Sequence, residues 1–151
     1  MLDERTTWEE HPNIGGPAST LLGIHDQFRV ASQRMILLVE REELGWLRRA
    51  FSPLSQTLHH HHHAEEAMLF PFVKRRTGAA PTELVDDHSA LTRAIAAVEE
   101  ALVGGDRALA KAAVVAFDEV LVTHLDREER LVIPVLLHVT ADEGWSLLYQ
   151  T

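Results

Sequence analysis

Bulky apolar residues recur along this chain at a mean spacing of about 3.5 residues, which is the period of an amphipathic helix. Four such stripes are present, and no segment shows the period-two alternation of a half-buried strand. The pattern predicts an all-α protein in which four helices form an up-down-up-down antiparallel bundle. The stripes are Leu21, His25, Phe28, Ser32, Met35 and Val39; Leu44, Leu47, Phe51, Leu54, Leu58, His61, Glu65, Met68 and Phe72; Leu84, His88, Leu91, Ile95, Val98 and Leu102; and Ala110, Val114, Phe117, Leu121, His124, Glu128, Leu131, Val135 and His138.

Proline, glycine and charge indicate where the first two helices begin and end. Pro17 is suited to the first turn of a helix. A charged run near the midpoint between the first two stripes predicts a turn between Arg41 and Gly45. The second helix is expected to begin near Gly45 and to kink at Pro53. A break into two helices at Ser52 is the alternative, because Ser-Pro often starts a helix.

The remaining helix ends carry similar markers. The basic run at 74–76 followed by Gly78 is typical of a helix C-terminus. Pro81 is expected to open the third helix, and Gly104-Gly105 to end it. Asp106 is a suitable N-cap for the fourth helix.

The chain divides into three predicted parts. Residues 1–16 are polar and form an N-terminal arm that packs, if at all, through Trp8 and Ile14. Residues 17–140 form the bundle. Residues 141–151 follow a capping-box pattern and are expected to form a short C-terminal helix.

Composition narrows the class of protein. A length of 151 residues suits one domain, and the formal net charge of −9 argues against nucleic acid or an anionic membrane as a partner. There is no cysteine, the N-terminus is charged, and no apolar run approaches the roughly 20 residues of a membrane span. We therefore expect a cytoplasmic protein. Its oligomeric state is left open.

The chain contains an internal duplication. His61 to Pro71 runs HHHAEEAMLFP, and His124 to Pro134 runs HLDREERLVIP, at an offset of 63 residues (124 − 61). The same offset relates His25 to His88. Each half thus has a lone histidine followed by an HxxxE pair, and Pro71 is expected to bend the last turns of its helix.

Six ionisable residues interrupt the apolar stripes. A histidine and a glutamate four residues apart lie on one helix face and can direct a nitrogen and a carboxylate to one point. Burying carboxylates without partners would cost several kcal/mol each. Imidazole and carboxylate together suit iron, zinc or manganese, so the stripes predict a metal site, in which a carboxylate could bridge two ions. The six candidate ligands are His25, His61, Glu65, His88, His124 and Glu128.

The histidine run at 59–63 permits a second register. His62 and Glu66 also form an HxxxE pair, but the duplication and the apolar stripe favour His61 with Glu65. His62 is then a candidate neighbour of the site or a replacement ligand. Glu66 and its counterpart Glu129 are predicted to face solvent. The other histidines of the run, His59, His60 and His63, are expected to be exposed or half-buried.

The order H…HxxxE…H…HxxxE resembles the hemerythrin-like family of HHE cation-binding domains, as does the EExxLFP at 65–71. The resemblance covers residues 17–138. It implies a non-haem di-iron centre in a four-helix bundle, with the two glutamates bridging the irons and the histidines capping them. Carried over by position, the ligands are the same six residues, and zinc or manganese remains possible in place of iron.

Family members bind dioxygen reversibly or act in iron sensing, nitric oxide handling or peroxide removal. We therefore expect dioxygen, peroxide or nitric oxide as the ligand. Oxygen-carrying hemerythrins have a further histidine one turn after the lone histidine of helix three, where this chain has Thr92. One imidazole fewer favours turnover chemistry over oxygen carriage. Whether the protein is an enzyme stays open, and a peroxide-decomposing di-iron enzyme or an iron storage or sensing protein is the alternative.

Overall fold

The computed structural model describes residues 4–139, so the helix predicted at 141–151 lies outside the described residues. Within the described part every regular element is helical, which confirms the all-α prediction. The elements are α1 (Glu4–Glu9), α2 (Pro17–Glu40), α3 (Leu44–Ala64), a π-helical turn (Glu65–Leu69), α4 (Phe70–Thr77), α5 (Thr82–Gly104) and α6 (Arg107–Leu136).

The four long helices bury their apolar stripes against one another. Helix α2 packs against α3 and α6, and α5 packs against α6 and α3. The buried apolar side chains form two clusters, one containing Phe28, Leu58 and Leu91 and the other containing Leu21 and Leu69. In α2, α3 and α5, the predicted site histidines lie between residues of these two clusters in the sequence. A polar layer therefore separates the two halves of the core.

The helix ends follow the local sequence closely. The first turn occupies residues 41–43, where Glu42 has a positive φ of 58°, and α3 begins at Leu44. Helix α3 continues through Pro53. The alternative of a break at Ser52 is therefore wrong, because the apolar stripe on both sides of the proline is buried by one continuous helix.

The predicted caps of the later helices are confirmed. Gly78 and Gly105 follow α4 and α5 with φ of 84° and 71°, a left-handed conformation that glycine adopts without steric cost. The Asp106 side chain accepts a hydrogen bond of 3.1 Å from the backbone N–H of Leu109. The cap satisfies one of the free donors in the first turn of α6.

A π-helical turn separates α3 from α4 directly before Pro71. Its wide hydrogen bond runs from the backbone N–H of Phe70 to the carbonyl of Glu65. The wider turn places Leu69 and Phe70 in the core, whereas Met68 is only partly buried. The prediction that Met68 continues the core stripe is therefore wrong, since it assumed a regular α-helical turn after Glu65.

The end of the fourth stripe also differs from the prediction. Leu131 is 42% exposed, and Val132 and Leu136 are buried in its place. His138 is exposed and lies beyond the end of α6. A stripe extrapolated at 3.5 residues drifts by about 20° per heptad from an α-helix of 3.6 residues per turn. The drift displaces positions at the far end of a long helix.

The N-terminal arm contains the short helix α1. Trp8 and Ile14 pack against the second apolar cluster, as expected. The Arg5 side chain donates a hydrogen bond of 2.8 Å to Asp26 on α2. None of the described helices is long and apolar enough to cross a membrane.

Candidate metal centre

The structure brings together all six residues predicted as ligands. They come from α2, α3, the π-helical turn, α5 and α6, and they lie in the polar layer between the two apolar clusters. Five of the six are buried, and His61, with a side chain 13% exposed, is intermediate. Each of the long helices thus contributes to one enclosed cluster.

One group of donor atoms lies towards α2. His25, His61, Glu65 and Glu128 each place a ligand atom within 4.8 Å of the others. The His25 Nε2 atom lies 3.1 Å from Glu128 Oε1, and His61 Nε2 lies 3.3 Å from Glu65 Oε1. The group offers two imidazole nitrogens and two carboxylates to one ion.

A second group lies towards α5 and shares Glu65 with the first. It consists of His62, Glu65, His88 and His124, again with ligand atoms within 4.8 Å of one another. The Nε2 atom of His88 is 3.3 Å from Glu65 Oε1, and that of His124 is 3.1 Å from Glu128 Oε2. Both glutamates therefore contact histidines of both groups, which is the arrangement that carboxylates bridging two metals require.

The buried polar atoms of the cluster lack ordinary partners. Despite their short separations, nine of them have no hydrogen-bond partner among the described residues. Leaving a buried donor or acceptor unpaired costs about 1–3 kcal/mol each. Metal ligation removes that cost, and imidazole with carboxylate suits iron, zinc or manganese. The nine atoms are Nε2 of His25, His61, His62, His88 and His124, and both carboxylate oxygens of Glu65 and Glu128.

His62 is a member of the second group, whereas the sequence predicted it as a neighbour of the site or a replacement ligand. Its ring stacks on that of His88, with the ring centroids 3.9 Å apart. Consecutive residues are about 100° apart on a helix, and the cluster is wide enough for both His61 and His62 to face it. Glu65 is the carboxylate that both donor groups share, whereas Glu66 lies on the flank with its side chain 44% exposed.

The position of His62 also changes how the presence of Thr92, in place of a histidine, is interpreted. The Thr92 hydroxyl donates a hydrogen bond of 2.9 Å to the carbonyl of His88 and lies outside both donor groups. The second donor group nevertheless contains three imidazoles, because His62 of α3 lies beside His88 and His124. The histidine run and the missing imidazole were both visible in the sequence, but only the packing of α3 against α5 connects them.

Glu66 and Glu129 both contact candidate ligands. Glu129 is buried, and its Oε2 accepts hydrogen bonds from His25 Nδ1 (2.8 Å) and from Arg29 (2.6 Å). The Oε1 atom of Glu66 is 3.0 Å from His88 Nδ1. The prediction that both face solvent is wrong for Glu129 and incomplete for Glu66. That prediction used only the position of each residue on its own helix, whereas the contacts of Glu66 and Glu129 are made with residues of neighbouring helices.

The remaining histidines of the run, His59, His60 and His63, are exposed, as expected. His124 has a further contact, since its Nδ1 lies 3.3 Å from Asp87, and Asp87 also accepts a hydrogen bond from Arg127. Carboxylates at Nδ1 leave the Nε2 atoms directed at the cluster.

Burial and mutual charge shift the pKa values within the cluster. Burial raises the pKa of Glu65, and the nearby charge of Glu128 raises it further. Burial alone would raise the pKa of Glu128 too, but the close approach of Glu65, His124 and His25 lowers it well below its usual range. The pKa values of the two carboxyl groups therefore shift in opposite directions.

The pKa values of the histidines shift in opposite directions. Burial lowers the pKa of His25, but Glu128 and Glu129 outweigh that effect and raise it to about 9. Burial lowers the pKa of His61 to about 4. Burial and the charges of His88 and His124 lower that of His62 to about 2. His61 and His62 are therefore neutral at pH 7, which is the state that ligates metal.

A helical core that encloses a layer of histidines and shared carboxylates defines a metal-binding helical protein. The chain belongs to the hemerythrin HHE cation-binding domain family, whose model matches residues 16–136. The family resemblance seen in the sequence is thereby confirmed. No curated protein and no solved structure matches the chain.

Proposed function

We propose that this protein is a hemerythrin-like di-iron protein that binds dioxygen or a related small oxidant, peroxide or nitric oxide. His25 and His61 would hold one iron, and His62, His88 and His124 the other. Glu65 and Glu128 would bridge them. The observation that carries this proposal is the sharing of Glu65 between two donor groups whose buried atoms lack other partners.

The two donor groups are unequal, which supports binding of an external ligand. One has three imidazoles and the other has two. Each group has four residues, so the ion beside His25 and His61 would have fewer protein ligands only because the proposed bridge by Glu128 adds a fifth ligand to the other ion. His61 is also the most exposed of the candidate ligands. Bound iron supplies reversible coordination and redox chemistry towards oxygen species at such a position.

The surrounding side chains would limit access of water. The Phe28 ring lies 5.2 Å from that of His61, and the Phe70 ring stacks on His88 at 5.3 Å. Both phenylalanines are buried. Apolar side chains around the cluster would exclude water and so raise the cost of charge separation there.

The same proposal includes the bundle topology. The connections between α2 and α3 and between α5 and α6 are short, and these helices pack against each other. Short connections join antiparallel neighbours. We infer an up-down-up-down arrangement in which α3, the π-helical turn and α4 together form one of the four helices of the bundle.

The Thr92 argument for turnover is weaker once His62 supplies an imidazole. An enzyme that decomposes peroxide remains an outcome that the experiment must separate from binding. Iron storage or sensing is the other, since exposed His59, His60 and His63 offer a surface that could collect metal.

The test is the metal content of untagged protein, purified without a nickel column and reconstituted anaerobically with ferrous iron. We expect two irons per chain, lost on Glu128→Ala or His88→Ala and retained in the control Glu119→Ala, which changes an exposed residue of α6. Zero or one metal per chain, or tight zinc in place of iron, would overturn the di-iron proposal. Sustained peroxide consumption would identify an enzyme in place of a carrier.

A further inference from the structure

Each half of the duplication contains two consecutive glutamates, at 65–66 and at 128–129. In each pair the first glutamate belongs to the cluster of candidate metal ligands. The second contacts the lone histidine of the other half: Glu129 contacts His25, and Glu66 contacts His88. The two halves thus exchange this contact reciprocally.

The two ring nitrogens of each lone histidine therefore lie close to two consecutive carboxylates, one at each nitrogen. For His25, Glu128 lies 3.1 Å from Nε2 and Glu129 lies 2.8 Å from Nδ1. For His88 the corresponding distances are 3.3 Å to Glu65 and 3.0 Å to Glu66.

Helix geometry explains how adjacent residues reach opposite edges of one ring. Their side chains point about 100° apart, so one is directed into the bundle and the next towards the neighbouring helix. In α6 that neighbour is α2, which carries His25. The sequence Glu-Glu therefore suits a ring that enters between the two side chains.

We propose that Glu129 and Glu66 are positioning residues that hold the Nδ1–H form of His25 and His88 and thereby leave each Nε2 free for the metal. The inference rests on the proposed two-metal centre. A carboxylate at Nδ1 fixes both the tautomer and the ring orientation of a metal-ligating histidine. Neither glutamate belongs to the two donor groups.

The two positioning residues are unequal. Glu129 is buried, with a side chain 6% exposed, and Arg29 holds its Oε2 at 2.6 Å while also contacting Asp126 at 3.0 Å. Glu66 is 44% exposed. Water competes with the contact made by Glu66 more than with that made by Glu129, so the effect of removing Glu129 is larger.

The experiment compares Glu129→Ala, Glu129→Gln, Glu66→Ala and Glu119→Ala, with diamagnetic zinc as the probe metal. Long-range ¹H–¹⁵N correlation spectra report which ring nitrogen of His25 and His88 carries the proton, and competition titration gives zinc affinity. We expect Nδ1–H at both rings in the unsubstituted protein. Zinc affinity falls roughly 10- to 100-fold in Glu129→Ala and less in Glu66→Ala.

Glu129→Gln provides the decisive comparison. Its amide oxygen can accept the bonds from His25 and Arg29, so we expect it to recover the Nδ1–H signal and most of the affinity. Glu119→Ala should behave as the unsubstituted protein. A Gln variant as defective as the Ala variant would overturn the positioning role, because it would show that charge and not hydrogen-bond acceptance is needed.

Unchanged spectra and affinity in Glu129→Ala would also overturn the inference while leaving the di-iron proposal standing. If Glu129→Ala does not fold, Glu129→Gln and Glu66→Ala carry the same test. A chain that binds neither zinc nor iron would overturn the proposed function instead. In that case, the rate at which the Nδ1 proton of His25 exchanges with solvent could be compared between the metal-free protein and its Glu129→Ala variant. Slower exchange in the unsubstituted protein would show that Glu129 contacts this proton.

Discussion

A buried imidazole of the second donor group shows how the role of one side chain depends on a neighbouring helix. His62 carries an Nε2 atom without a hydrogen-bond partner among the described residues, and its ring stacks on His88. In the metal-free protein that arrangement is unfavourable, since a buried polar atom has lost water and gained nothing. In the proposed metal-bound protein the same atom would be a ligand. We therefore expect His62 to favour metal binding at the expense of the stability of the metal-free protein.

Replacing His62 should separate these two effects. We expect His62→Leu to weaken binding of one of the two metals by more than about tenfold. We also expect it to raise the metal-free stability by about 1–3 kcal/mol, because the unpaired buried nitrogen is removed. Metal titration and chemical denaturation measure the two quantities.

The matched control for that substitution is His63→Leu, which changes the exposed neighbour on the same helix. It should leave both metals bound with unchanged affinity. Equal metal affinity in the two variants would show that His62 does not ligate.

At the scale of elements, the π-helical turn distinguishes the two halves of the duplication. Pro71 and Pro134 occupy matching positions, yet α6 stays α-helical through Pro134 while a π turn precedes Pro71. Proline removes one backbone donor in both halves and so does not by itself require the wider turn. The turn instead accompanies burial of Leu69 and Phe70 in the second apolar cluster.

A single π turn is equivalent to one residue inserted into an α-helix. Deleting Ala67, an exposed residue of that turn, should therefore leave the flanking helices in phase as one continuous α-helix. Deleting Ala116, an exposed residue in the middle of α6, should rotate the preceding segment by about 100° and move its buried side chains towards solvent.

Circular dichroism and thermal melts distinguish these deletions. We expect a cooperative transition for the Ala67 deletion and a lost or strongly lowered transition for the Ala116 deletion. Loss of cooperative unfolding in both would mean that the π turn is required for the fold itself.

For the whole molecule, the polar layer between two apolar clusters links metal binding to stability. The unfolded chain cannot hold its donors in this arrangement, so an ion that binds the folded protein stabilises it. At a metal concentration of about 100 times Kd the gain is about 2.7 kcal/mol for each site.

The melting temperature should therefore rise on reconstitution with ferrous iron under anaerobic conditions. A gain of this size corresponds to about 5–10 °C for each site in a chain of this length. Chelation should reverse the rise, and Glu128→Ala should abolish it. Equal melting temperatures for the metal-bound and metal-free forms would argue against a site enclosed by the core.

The sequence alone predicted the four long helices, the caps of the later ones and six residues of the candidate site. The helical period, the positions of glycine and proline, and the duplication are local or repeating features. They can be recognised in the sequence without knowing which helices are neighbours. His25, His61 and Glu65 could be placed on a core face because they interrupt an apolar stripe on their own helix.

Tertiary structure decided the features that depend on two elements at once. His62 enters the site because α3 lies beside α5, and Glu129 becomes buried because α2 brings His25 and Arg29 against it. The π turn and the exposure of Leu131 depend on packing phase along the helices. A helical period gives the direction in which a side chain points, whereas its partner is set by the helix it meets.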